Sequence, residues 1–176
     1  MNKRIAFKTL GCRLNQYETN AVISDFVNAG YEVVDINEAA DAYVVNTCTV
    51  TNMSDHKSRQ TVSQAARKNE EAVLVVTGCM VNNHKEKLED DRRITYAIEN
   101  DRKGSIFHLL DSHFKGETLS PDELKRDSFS FGPAEQGINT RSLDKIQDGI
   151  DNCCTYCIVP HERRRAASRE WKDIEY

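Results

Sequence analysis

Three apolar runs in this 176-residue chain lead into a cysteine. Residues 4–12 read RIAFKTLGC, residues 42–51 read AYVVNTCTVT, and residues 72–79 read AVLVVTGC. A short β-branched run closed by Gly, Asn or Thr reads as a buried strand entering a loop. Cys12, Cys48 and Cys79 therefore stand just past the carboxyl ends of three strands. Two further runs, Tyr31 to Ile36 and Thr95 to Glu99, are also strand-like. Helical stretches lie between and after them. In residues 14–30, Leu14, Tyr17, Val22, Phe26 and Val27 follow helical spacing and Gly30 is a natural stop. Ser54 to Lys68 carries only a thin apolar stripe of Val62, Ala65 and Ala66, as a solvent-facing helix would. HKEKLEDD at 84–91 makes a weak short helix, and Asn100 or Asp101 is placed to cap a helix through SIFHLLDSHF at 105–114.

Strand and helix in alternation predict an α/β fold, a five-stranded parallel sheet with helices on both faces. Right-handed crossovers favour the order 2-1-3-4-5, which sets strands 1, 3 and 4 side by side. Neighbouring strands lie about 4.8 Å apart, so three loops at one sheet edge can bring their thiols around a small inorganic cluster. This domain is expected over residues 1–114. From 115 to 140 the periodicity gives way to Ser, Gly, Pro and charge, the composition of a mobile linker. Residues 141–176 begin a second unit, with a strand candidate at 141–147 and a second cysteine region, DNCCTYCIVP, at 151–160.

The chain has a net charge of −4 and 30% charged residues, which gives no general attraction to phosphate backbones. No apolar run is long enough for a signal peptide or a membrane span, so a cytoplasmic setting with no membrane partner is expected. In a reducing compartment six cysteines read as buried hydrophobes, metal ligands or catalytic thiols before disulfides. Structural zinc takes four closed ligands, and the first domain offers three thiols. Three thiolates on a four-iron cluster leave one iron open to an exogenous ligand. Each cysteine read separately is equally a small hydrophobe at a strand end.

GCRLNQYET at 11–19, NTCTVT at 46–51, KSRQ at 57–60, VTGCM at 76–80, and KIQDG with DNCCTYCIVP at 145–160 together resemble the methylthiotransferases. These radical S-adenosylmethionine enzymes insert sulfur and then methyl on a tRNA base or a ribosomal protein. The wording of the first two motifs is most similar to the branch that modifies threonylcarbamoyladenosine beside the tRNA anticodon. The resemblance implies that Cys12, Cys48 and Cys79 ligate an auxiliary [4Fe-4S] cluster. It implies a second [4Fe-4S] cluster with S-adenosylmethionine at the 150–157 loop, and tRNA, not DNA, as partner. There the sequence departs from the C-x3-C-x2-C pattern: Cys154 and Cys157 match, and Ile150 stands at the remaining position. Cys153 is a poor substitute, because adjacent side chains of an extended segment point to opposite sides. Cys153, Cys154, Cys157 and His161 form a crowded alternative set for zinc.

The family continues into a barrel, so the chain is expected to be an incomplete and inactive portion carrying only the start of the radical domain. The region after Lys115 should then pack poorly, with Leu143, Ile146, Ile158 and Val159 short of partners. The alternatives are a non-catalytic iron-sulfur or zinc module on a flavodoxin-like fold, and a flavodoxin-like domain with buried thiols and no metal. Against the last, LGCRLNQ has a single Gly where a phosphate-cradling loop needs more. Among the remaining side chains, Arg163, Arg164, Arg165 and Arg169 read as a solvated basic cluster, with Arg163 and Arg169 at family positions. His56, His84, His108 and His113 read as surface residues, and Lys57 and Arg59 as part of a solvated helical face. Asn15, Gln16 and Asn46, beside the cysteines, either donate to cluster sulfur or cap a turn.

Overall fold

A computed structural model describes residues 3–131, 143–152 and 154–174. Its centre is a parallel sheet of β1 (Arg4–Thr9), β2 (Glu32–Val34), β3 (Ala42–Thr47), β4 (Val73–Gly78) and β5 (Tyr96–Ile98) in the order β2-β1-β3-β4-β5. This is the predicted topology. Every residue of β3 and β4 is buried, as befits central strands covered on both sides. The pleat sends Ile5, Val44 and Val75 to one face, against Tyr17, Val22 and Phe26 of α1 (Arg13–Asn28) and Leu109 and Leu110 of α4 (Ile106–Phe114). Tyr43, Val45, Leu74 and Val76 go to the other face, with Val62 and Ala65 of α2 (Asn52–Lys68) and Val81 of α3 (Cys79–Glu89).

Two helix starts differ from expectation. α3 begins at Cys79, not His84, because Gly78 at φ 98° turns the chain directly from β4 into the helix; His84 instead marks a kink (φ −139°, ψ 33°). Neither Asn100 nor Asp101 caps α4: Asn100–Ser105 is a 3-10 turn that leads into it. Asn100 is occupied elsewhere, its backbone N–H donating to Asn82 and its side-chain amide to the Glu162 carbonyl.

Much of the stretch expected to be a linker is docked. Ser120 caps a 3-10 turn at Pro121–Glu123, and Leu124 and Phe131 are buried in the core on the α1 side. Residues 132–140, the rest of that stretch, lie outside the described residues. The tail forms β6 (Gln147–Asp148), α5 (Val159–Arg163) and β7 (Ala167–Ser168), with β6 and β7 antiparallel. Leu143 packs against the core while Ile146 is exposed, so apolar contact holds the tail only in part.

Buried charge supplies more of the attachment. Glu18 of α1, fully buried, accepts from Lys103 at 2.5 Å, Lys145 at 2.7 Å and Arg163 at 3.1 Å. Lys145 and Arg163 also pair with Asp148, at 2.6 and 3.0 Å. Burial alone would raise the Glu18 carboxyl, but Lys103, Arg163 and Lys145 outweigh it and hold the group well below the usual carboxylate range. Arg163 is lifted further above its ordinary value by Glu18 and Asp148 against the pull of burial. Burial pulls Lys103 down, yet with three cations around Glu18 the carboxylate stays ionised. Arg163 is thus a structural cation, not part of a solvated cluster.

Candidate metal centre

The register fixes how the three thiols stand. β1 pairs Thr9 with Asn46 of β3, and β3 pairs Thr47 with Gly78 of β4. Counting on, Gly11 is level with Cys48, and Cys48 with Cys79. Contact bears this out for the first pair: a Cβ on Gly11 would lie 2.5 Å from Cys48 Cβ and 2.7 Å from its Sγ. Gly11, at φ 98°, therefore both makes the turn into α1 and leaves the space that the Cys48 side chain fills.

Polar side chains fix the surrounding backbone. Ser58 of α2 holds Cys48, its hydroxyl accepting from the Cys48 N–H at 3.1 Å and donating to the Cys48 carbonyl at 2.9 Å. Thr47 donates to the Thr77 carbonyl at 2.6 Å and accepts from Met80 N–H at 3.3 Å, stitching the mouths of β3 and β4 to the start of α3. Asn15 donates to the carbonyls of Leu10 and Thr47, and Asn46 donates to Asn15 and Thr19. Gln16 donates to Asn20. Asn15 and Asn46 therefore brace the loops, which favours the turn role over donation to sulfur.

Each thiol is also close to a helix amino terminus. Cys12 is the N-cap of α1, Cys79 the first residue of α3, and Cys48 lies three residues before Thr51, the N-cap of α2. The partial positive charge at a helix start favours thiolate and an anionic cluster. Cys79 is nonetheless a thiol here. Burial, and then the hydrogen bond and charge of the Glu162 carboxylate, push it up to about 12. Cys12 is exposed, whereas Cys48 and Cys79 are buried. Among the described residues no three metal-type side chains are gathered into a ready binding group.

A three-thiol iron site suits this edge in donor chemistry, with Cys48 and Cys79 level at neighbouring strand mouths and Cys12 one residue past the level of Cys48. The second loop does not suit one. Cys154 is exposed and Cys157 only partly covered, with the Cys157 N–H donating to the Cys154 carbonyl in a turn. Ile150 supplies no ligand, and Cys153 lies outside the described residues. His113 donates to or accepts from Tyr96, and Arg59 pairs with Asp55, consistent with structural and surface roles.

Residues 4–98 match the uncharacterized protein family UPF0004, the amino-terminal domain of the methylthiotransferases. The chain belongs to that family. The threonylcarbamoyladenosine tRNA methylthiotransferase MtaB of Aquifex aeolicus (strain VF5) is 32% identical over 97% of this chain and 43% of its own length. The protein of the same name from Bacillus subtilis (strain 168) is 34% identical over 97% of this chain and 39% of its own. The chain spans less than half the length of the curated relatives it matches. A solved structure of TsrM, a radical S-adenosylmethionine methyltransferase from Kitasatospora setae, superposes with a TM-score of 0.61 at 13% identity, covering 96% of this chain and 43% of that one. At that identity the likeness is one of fold. No helix among the described residues is long and apolar enough to cross a membrane.

Sequence reasoning missed Glu162, which lies 1% exposed at this edge. Its oxygen Oε1 accepts from Thr49 and, at 3.0 Å, from Asn83 of α3. Its backbone carbonyl accepts from Asn82 at 2.7 Å and from Asn100. Nothing in HERRR distinguishes a buried glutamate from a solvated one; only the docking of α5 does.

Proposed function

We propose that this chain is the cluster-holding portion of a tRNA methylthiotransferase, with Cys12, Cys48 and Cys79 as thiolate ligands of an auxiliary [4Fe-4S] cluster. The reading is carried by three cysteines at adjacent strand mouths, Cys48 level with Cys79 and Cys12 one residue past the level of Cys48, each near a helix start, in a chain of this family. When bound, such a cluster supplies an iron with an open position at which sulfur for insertion is taken up. The chain's own residues hold the frame. Gly11 makes room beside Cys48, Ser58 fixes the Cys48 backbone, and Thr47 ties the start of α3 to β3.

The names of the relatives support threonylcarbamoyladenosine in tRNA as the substrate base, while S-adenosylmethionine as the methyl source and a cytoplasmic setting rest on the resemblance of the sequence motifs. Cys154 and Cys157 are fewer thiolates than a radical cluster needs, and no step is assigned to the loop at 150–157. Ile150 favours a second reading beside the first, in which the chain binds one cluster without cleaving S-adenosylmethionine.

Anaerobic reconstitution with iron and sulfide tests the cluster assignment and the view of the second loop together. The wild type is expected to take up about four irons and leave S-adenosylmethionine intact, and Ile150→Cys to rise toward about eight. Cleavage of S-adenosylmethionine by the wild type would overturn the view of the second loop. Zinc uptake with no iron would overturn the iron-sulfur assignment in favour of a zinc module.

A further inference from the structure

The second cysteine segment is the tip of a loop tied down at both feet. Ile150 donates its backbone N–H to the Arg164 carbonyl at 3.2 Å, and the Asp151 carboxylate accepts from the Ala166 N–H at 3.1 Å. Beyond the tip, Arg163 anchors α5 to Glu18 and Asp148, at 3.1 and 3.0 Å. At the tip itself Thr155 and Tyr156 form a turn, closed by the Cys157 N–H donating to the Cys154 carbonyl at 3.0 Å. Cys154 and Cys157 are thus the first and last residues of a hydrogen-bonded β-turn, whose end Cα atoms lie within about 7 Å. A disulfide spans about 4.4–6.8 Å between Cα atoms, so this turn holds its two thiols within bonding reach. Cys154 is exposed and Cys157 partly covered, and Tyr156 between them is 90% exposed, which leaves the turn open to solvent. Ile150 deprives the pair of the third thiolate of the C-x3-C-x2-C pattern, whereas a dithiol needs no third.

We propose that Cys154 and Cys157 are a thiol–disulfide exchange pair that takes a low-molecular-weight disulfide, such as oxidised glutathione, as its oxidant. The exposed Cys154 reacts first. Its thiolate bonds to one sulfur of the oxidant, breaking the S–S bond, releasing one thiol and leaving a mixed disulfide. The Cys157 thiolate then bonds to the Sγ of Cys154 and expels the second thiol. Two electrons pass from the protein pair to the oxidant, and the two protons of the pair end on the two released thiols. An exposed bridge across two residues is of the labile kind that reducing agents reopen, so the modification is reversible. It is independent of the role assigned to Cys12, Cys48 and Cys79.

The test incubates the chain with oxidised glutathione and no metal, quenches with N-ethylmaleimide and reads the products by peptide mass spectrometry. A bridge joining Cys154 to Cys157 is expected, with both alkylation sites lost and both recovered in dithiothreitol. Cys153→Ser is expected to form the same bridge. Because the second step is intramolecular, the glutathione adduct on Cys154 is expected to be at least about tenfold more abundant when Cys157→Ser is added to Cys153→Ser than in Cys153→Ser alone. Equal adduct in those two proteins would overturn the proposal, as would a bridge joining Cys153 to either partner. Both thiols staying open to alkylation in excess oxidant would overturn it too. The measurement uses no iron, so its failure leaves the cluster assignment standing, and failed reconstitution at Cys12, Cys48 and Cys79 leaves this pair standing.

Discussion

Replacing Glu18 by Gln removes the one anion that Lys103, Lys145 and Arg163 share. In the wild type the five buried groups carry three positive and two negative charges; in Glu18→Gln only Asp148 opposes three cations. Deleting one partner of a buried ion pair costs about 3–5 kcal/mol, because the remaining charge is stranded away from water. That is a large part of the stability of an ordinary domain, about 5–15 kcal/mol. Urea denaturation followed by circular dichroism measures it. Native-state amide exchange should locate the loss at residues 145–148 and 159–163, whose Lys145 and Arg163 lose their anchor, before β3 and β4 are affected. A loss below about 1 kcal/mol, the value of a solvent-exposed pair, would refute the claim that buried charge holds the tail.

The same carboxylate sets a pH dependence. Its folded pKa lies below the unfolded value of about 4.3, so its contribution is complete above that pH and is lost as pH falls toward the folded value. Wild-type stability should decline below about pH 4, and Glu18→Gln should show a flatter acid limb; parallel limbs would contradict this. Gly11→Ala should destabilise the chain by about 1–3 kcal/mol and displace Cys48, since the new methyl meets Cys48 Cβ at 2.5 Å on a backbone at φ 98°. A variant that melts with the wild type would sink that argument. Arg164 is the one described residue other than Gly with positive φ, at 65°. Its partner Asp101, at 3.1 Å, is paired from an exposed guanidinium, so Arg164→Gly should gain up to about 1 kcal/mol in thermal melting, and a loss would show that the ion pair outweighs the backbone strain.

The sheet was legible because its central strands are continuous apolar runs bounded by Gly, Asn and Thr, and a parallel order then left few topologies. The three thiols followed from the same pattern, since each run leads into a cysteine. What sequence could not disclose was long-range charge. Glu18, Lys103, Lys145 and Glu162 look like surface residues, and only their convergence from four separate segments shows that they are buried. The 115–140 stretch misled for a related reason: Leu124 and Phe131 are too widely spaced to make a periodic pattern, yet each fills a place in the core. The start of α3 was hidden because Gly78 closes a strand and opens a helix at once.

The central claim is that one cluster is held jointly by the mouths of β1, β3 and β4. Iron content and charge-transfer absorbance of the anaerobically reconstituted chain, compared with Cys12→Ala, Cys48→Ala and Cys79→Ala, test it most directly. About four irons per chain in the wild type, with loss of the chromophore in every single variant, is the predicted result. Full iron content in any one of the three variants would contradict a shared site.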